Sequence, residues 1–328
     1  MPALLPAACR LLTAAIPASE RASENCLMTS IAPMEIVDPH LHLWQLSAGQ
    51  YQWLTSEKPR HWPDKALLQQ DYSAEKLELM PPFRLAGLVH IEAGFDNRAP
   101  ERELAWLAKQ HLTLPHKAVA FLDCSLALPQ VLANLQSLLP YQPAGVRHIF
   151  EGDDERWLHA PQLEQIAGAL AEYKMVLEVQ CSLAKAKNVV RIQQLAQQFP
   201  ELKLVLNHAG LVKPDNFSQW QTGMRQLVPL PNVAMKLSGW ELLNAGRYSQ
   251  ADPAWQQQVL AAVLSEWPAE RLMLASNFPL CLWQGSYQQL WQRYYQLLTN
   301  MGLSRTGWQQ LSAGAARAWY GLNDNSVF

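Results

Sequence analysis

Two histidines two residues apart, at the end of a short apolar run, are the first chemistry this chain offers. In Val37-Asp38-Pro39-His40-Leu41-His42-Leu43-Trp44 the alternation of an extended strand turns His40 and His42 to one side. Paired imidazoles at a strand end can hold a divalent cation or two oxygens of one small substrate. The competing role is that of two hydrogen-bonded core histidines. Other polar residues stand in apolar runs in the same way. Glu92 closes LVHIE, with His90 on its face; Arg147 lies in GVRH, and Glu178 and Gln180 alternate in MVLEVQC. His208 follows KLVLN, Lys236 precedes LSG with Ser238 on its face, and Asn277 follows RLMLAS. Each has a structural alternative: an ion pair of Glu92 with Arg98 or Arg147, an internal hydrogen bond for Glu178, charge pairing for Arg147 and Lys236, a strand-end cap for Asn277.

The elements that must position these residues are legible from period. The run beginning at 36 and those at 84–92, 118–122, 144–150, 175–181, 203–207, 233–237 and 271–275 read as strands. Segments 100–110, 126–139, 160–173, 184–199, 216–227, 253–267, 285–301 and 304–320 place apolar residues three and four apart and read as helices. Regular alternation of strand and helix predicts a parallel sheet with helices outside. Eight such units over ~290 residues fit one (β/α)8 barrel of the TIM type better than an open doubly wound sheet. No Gly-x-Gly-x-x-Gly turn follows a strand, which argues against a dinucleotide-binding fold. Barrels carry their working residues at the C-terminal ends of strands, and those ends are where the polar residues above fall.

Composition narrows the function classes. With 49% hydrophobic and 16% charged residues, the 328-residue chain has ample material for a core. The 26 basic and 28 acidic residues are dispersed, so no stripe suits a nucleic-acid backbone. No apolar run is long enough to span a membrane. The five cysteines, at 9, 26, 124, 181 and 281, suggest neither a disulfide framework nor a zinc knuckle and are expected as buried reduced thiols in a cytoplasmic protein. Residues 1–33, rich in Ala, Pro and Ser, are expected to be a poorly ordered extension, with the barrel occupying 34–328. The expected partner is a small-molecule substrate, and a homo-oligomer is compatible with the composition.

Taken in order, VDPHLHLW, YQWL at 51–54, LVLNHAG, NVAMKLSG and RLMLASNFPLC resemble the amidohydrolase-related family, and within it the lactonase branch that includes fuconolactonase-like and pyrone-dicarboxylate lactonase-like enzymes. The resemblance implies a distorted (β/α)8 barrel of the metal-dependent-hydrolase type that hydrolyses a small lactone or ester with activated water. It matches His40 and His42 to the first-strand histidines and His208 to the sixth-strand histidine. Asn277 stands where most members have the last-strand aspartate. An amide neither takes a proton near neutral pH nor offers charge to a cation, so another base is needed, and Glu92, Glu178 and the histidines are the candidates. The catalytic set is therefore His40, His42, His208, Asn277 and Glu92. Arg147, Lys236, Gln180 and Trp44 are the expected substrate contacts, with Trp240 a further aromatic at the mouth. No cofactor is expected to be required. The alternatives are a zinc-dependent amidohydrolase or decarboxylase with the metal on His40, His42 and His208, and a non-catalytic metabolite binder.

Overall fold

Runs of Val, Leu and Ile covered on both faces need only a few residues to cross a barrel. In a computed structural model, which describes residues 32–55, 65–239 and 252–322, eight of them form one sheet in the order β1 to β8. They are β1 (Met34–Leu41), β2 (Phe83–Ile91), β3 (His116–Phe121), β4 (Gly145–Ile149), β5 (Val176–Gln180), β6 (Leu204–Leu206), β7 (Val233–Leu237) and β8 (Leu272–Leu274). Every neighbouring pair is parallel. The ring is closed just past β8: Leu41 bridges Phe278, the His42 amide donates to the Phe278 carbonyl at 2.7 Å, and the Asn277 amide donates to the His40 carbonyl at 2.8 Å. The expected (β/α)8 barrel is thus present, with Glu101–Leu107, Leu128–Leu138, Gln162–Glu172, Ala186–Gln198, Phe217–Leu227, Pro253–Leu264 and Tyr287–Asn300 as its outer helices. Among the described residues no helix is long and apolar enough to cross a membrane.

Local chemistry sets the helix starts. Ser286 and Gln289 form a reciprocal capping box at Tyr287–Asn300, and Asp252 caps the Ala254 amide with Pro253 in the first turn. Ala186–Gln198 buries Val189, Ile192, Leu195 and Ala196, a stripe at helical spacing. Cys124, Cys181 and Cys281 are buried free thiols. Cys9, Cys26, Trp240 and nearly all of the expected extension lie outside the described residues.

Inside the barrel, period two stacks the strands into layers. Val37, Val89, Val119, Val176, Val205, Ala234 and Met273 form an apolar layer, sealed by Ala316, Trp319 and Tyr320 of the terminal helix Ala315–Tyr320. Two residues further along the same strand faces come Arg147 above Gly145, Glu178 above Val176 and Lys236 above Ala234. β1 departs from simple alternation. Its register against β2 shifts between Asp38 and Leu41, a bulge at Pro39, which has no amide to lose from a ladder.

Close strand approach explains one glycine. A Cβ on Gly145 would stand 2.4 Å from the Val176 carbonyl oxygen. Gly145→Ala is expected to force β4 from β5 and to lower stability by about 1–3 kcal/mol. Urea unfolding reads this as an earlier midpoint at unchanged slope; an unchanged midpoint would contradict the packing described.

Candidate active site

Glu92, just past β2, and Arg147, of β4, meet in one wall of the barrel mouth. Arg147 Nε donates to Glu92 Oε1 at 2.8 Å, Nη2 lies 2.6 Å from the same oxygen, and Nη2 also donates to the Glu92 backbone carbonyl at 3.1 Å. Both side chains are buried. Burial raises the Glu92 carboxyl above its ordinary range, and the guanidinium opposes that rise. Of the two partners that sequence offered Glu92, Arg147 is the one it has. His90 is instead held on Glu103, 3.0 Å from its Nε2, and accepts the Leu43 amide at Nδ1.

His42 donates from Nδ1 to the carbonyl oxygens of Ile91 (2.9 Å) and Glu92 (3.0 Å). Carbonyls only accept, so Nδ1 carries the proton and Nε2 keeps its lone pair. Burial and Arg147 hold this ring neutral, far below the usual histidine range. His208 begins a left-handed turn: His208, Ala209, Gly210 and Leu211 all have φ between 50° and 66°. Such a run costs about 1–2 kcal/mol for each residue bearing a Cβ and is held by packing. The Trp220 indole donates to the Ala209 carbonyl at 2.6 Å, and the Leu183 amide to that of Gly210 at 3.0 Å. The turn brings His208 Nδ1 within 3.0 Å of Ser238 Oγ. Gly239, at φ +76°, leaves room for that ring, since a Cβ there would meet the imidazole at 2.6 Å. Burial, Arg147 and Lys236 push His208 down to about 3.

Beneath these lies a buried polar layer. Glu178 Oε1 accepts from Lys236 Nζ (2.6 Å) and from the Tyr320 hydroxyl (2.6 Å), and Oε2 accepts from Asn207 Nδ2 (2.7 Å). Burial lowers Lys236 to about 8 against the opposing attraction of Glu178. His40 sits between two cations, with Lys236 Nζ 3.3 Å from Nδ1 and Arg147 Nη1 3.4 Å from Nε2. Its ring centre is 5.2 Å from that of His42 and 4.7 Å from that of His208. Burial first, then Lys236, His208, His42 and Arg147, keep it neutral.

The mouth is a cavity of about 930 Å³. Of the residues expected from sequence, His42, Glu92, Arg147, Gln180, His208 and Asn277 line it. His40 and Lys236 do not; they lie under its floor with no exposed surface. Trp44 is turned away from the mouth. Its indole donates to the Gln70 carbonyl at 2.7 Å and its ring meets Tyr72 edge-on, while Trp53 takes the place on the wall. Gln180 donates to Glu151 Oε1 at 2.6 Å, and its own oxygen has no partner among the described residues. Asn277 holds φ 55°, a left-handed conformation that asparagine tolerates.

The donor set does not suit a zinc ion. Zinc at a catalytic site takes three protein ligands and an open position. Here His40 is flanked by an ammonium and a guanidinium, and Asn277 brings no charge. Among the described residues no group of three His, Cys, Asp or Glu side chains is arranged to hold a metal ion.

Sequence reading gave no role to Asp38, Asn207 or Tyr320. Asp38, two residues before His40, accepts from the amides of His40 (3.2 Å) and Ser276 (3.1 Å) and from the Tyr287 hydroxyl (3.0 Å). The one local signal for it is a carboxylate beside the paired histidines. Burial, against those hydrogen bonds, raises Asp38 from 3.8 to about 6. A raised carboxyl favours the folded state while it is protonated, so its contribution is full below the unfolded value and is lost as pH rises through about 6. Asp38→Asn is expected to remove about 2–3 kcal/mol of that decline. Chemical denaturation at pH 4 and pH 7 checks it, and an unchanged pH difference would refute it.

Curated relatives include an uncharacterised protein, y4mH, of Sinorhizobium fredii, 28% identical over 84% of this chain and 95% of its own length. An L-fucono-1,5-lactonase of Burkholderia multivorans is 25% identical over 77% of this chain and 85% of its own. Among solved structures, an amidohydrolase from Burkholderia multivorans with bound zinc superposes with a TM-score of 0.69 at 24% identity, covering 88% of this chain and 99% of that one. The amidohydrolase family model matches residues 37–323. By that match, which takes in all but the first three residues of the barrel sheet, the chain belongs to the amidohydrolase family and is a hydrolase-type enzyme of its superfamily.

Proposed function

We propose that the chain hydrolyses a small lactone or ester by attack of water activated at Glu92, without a bound metal. The observation that carries this reading is the state of Glu92. One carboxylate oxygen is held by Arg147, and the other has no partner among the described residues, on a side chain that lines the cavity. A buried carboxylate with a raised pKa is a better base than an exposed one. Glu92 takes a proton from water as the water oxygen bonds to the ester carbonyl carbon. Arg147, in the same wall, stabilises the charge that develops on the carbonyl oxygen. Collapse of the tetrahedral intermediate breaks the ring C–O bond, and Glu92 returns its proton to the departing alkoxide. His42 Nε2, a lone-pair acceptor, orients the water or a substrate hydroxyl. The unpartnered Gln180 oxygen requires a donor, which favours a hydroxylated sugar-acid lactone over a ring dicarboxylate. Likeness to the L-fucono-1,5-lactonase supports the same class. The zinc-bound Burkholderia structure is the observation that favours a metal-dependent reading.

The decisive assay follows acid release with a pH indicator on sugar-acid and ring-dicarboxylate lactones, with and without chelator. Turnover that survives chelation is expected; turnover abolished by chelator would install zinc, and binding without turnover would leave a metabolite binder. Turnover is expected to rise with pH through a midpoint above the ordinary carboxylate value, as Glu92 loses its proton. Glu92→Gln should remove that limb and lower kcat by about 10²–10⁴-fold. Asn277→Asp keeps the left-handed backbone yet is expected to lower turnover, because it puts a second negative charge into the cavity that Glu92 lines. A rise would mean that Glu92 is not the base.

A further inference from the structure

The proposed chemistry uses Arg147 at the cavity wall but leaves the buried layer below it without a task. That layer runs unbroken from the terminal helix to the site. The Tyr320 hydroxyl and Lys236 Nζ both donate to Glu178 Oε1, each at 2.6 Å. The Tyr320 ring backs the ammonium, its centre 5.1 Å from Nζ. Asn207 takes the other carboxylate oxygen. The ammonium has no exposed surface, so its N–H groups must aim at protein acceptors. Among the described residues those within reach are Glu178 Oε1 and His40 Nδ1.

If Nδ1 accepts from the lysine, a neutral His40 carries its proton on Nε2. That nitrogen is 3.4 Å from Arg147 Nη1, so in this tautomer two donors meet there and Nε2 does not accept from the guanidinium. A guanidinium N–H refused by His40 must find its acceptor in the cavity, where Arg147 is a wall residue. In the opposite tautomer Nε2 would accept from Nη1, and the donor would be used within the protein. Which nitrogen bears the proton therefore decides whether Arg147 offers this N–H to substrate.

We propose that Tyr320 is a positioning residue: by sharing Glu178 Oε1 with Lys236 it holds the lysine on Nδ1 of His40, fixes the ring as the Nε2–H tautomer and so directs Arg147 Nη1 to the substrate carbonyl. The kinetic part rests on the lactone or ester reading; the tautomer does not. Tyr320 lies under the barrel floor and touches no substrate.

The test is ¹⁵N NMR of the full chain labelled at histidine, with the His40 signals assigned by their loss in His40→Gln. Expected in the wild type is a protonated Nε2 and an unprotonated Nδ1. Tyr320→Phe, which keeps the ring and removes one oxygen, should move His40 toward the Nδ1–H form. It should also lower kcat about tenfold with KM within about twofold, the pattern of an interaction made in the transition state. If Tyr320→Phe does not fold, the neutral double variant Glu178→Gln with Lys236→Met removes the same donor and should give the same shift. An Nδ1–H ring in the wild type, or an unchanged tautomer in the folded variant, overturns the proposal. A wild type that shows the Nε2–H form and opens no lactone or ester refutes the functional reading and leaves the tautomer relay standing.

Discussion

A lysine ammonium with no exposed surface, in the middle of a barrel, governs the arrangement of everything around it. Removing two charges from water costs several kcal/mol for each ion, and the mutual attraction of Lys236 and Glu178 offsets that cost only if their remaining hydrogen-bonding capacity is met. Tyr320 and Asn207 meet it on the carboxylate, and His40 faces the ammonium. An apolar pair of the same volume is often no less stable. The pair is therefore better explained by what it orients than by what it stabilises. With cations on two sides, His40 is kept neutral and walled off from the cavity, and the imidazoles that line the mouth are His42, His148 and His208.

The same layer accounts for strain above it. His208 reaches Ser238 only because the chain turns left-handed for four residues after β6, a conformation that hydrogen bonds from Trp220 and Leu183 and the space at Gly239 keep in place. Held conformations of this kind concentrate where side chains must be aimed. Asn277, also left-handed, is fixed by its amide on the His40 carbonyl, so the first and last strands of the barrel aim each other's residues.

The barrel was legible because its strands are short apolar runs with helices between them: 233–237 matches β7, and 84–92 differs from β2 by one residue at each end. The strand-end rule placed His42, Glu92, Arg147, Gln180, His208 and Asn277, all of which line the cavity. It misjudged depth. Lys236 is bonded to Glu178, His40 lies between Lys236 and Arg147, and both stand below the floor. Trp44 was misread for another reason. Composition says that an aromatic is present but not which way it turns, and the Gln70 carbonyl decides that. Tyr320 had no local signal at all, since its partner Glu178 is 142 residues away in sequence.

The seam of the barrel has a consequence for its dynamics. Seven of the eight strand junctions are ladders; the eighth is a bridge at Leu41 and Phe278 with amide bonds from His42 and Asn277. Local opening follows the line of fewest cooperative bonds, so the barrel breathes along β1 and the segment after β8. Both sides of that line carry residues of the cavity wall. A ligand that contacts His42 and Asn277 together therefore acts as a clasp, and occupancy of the site slows amide exchange at the seam more than anywhere else in the sheet.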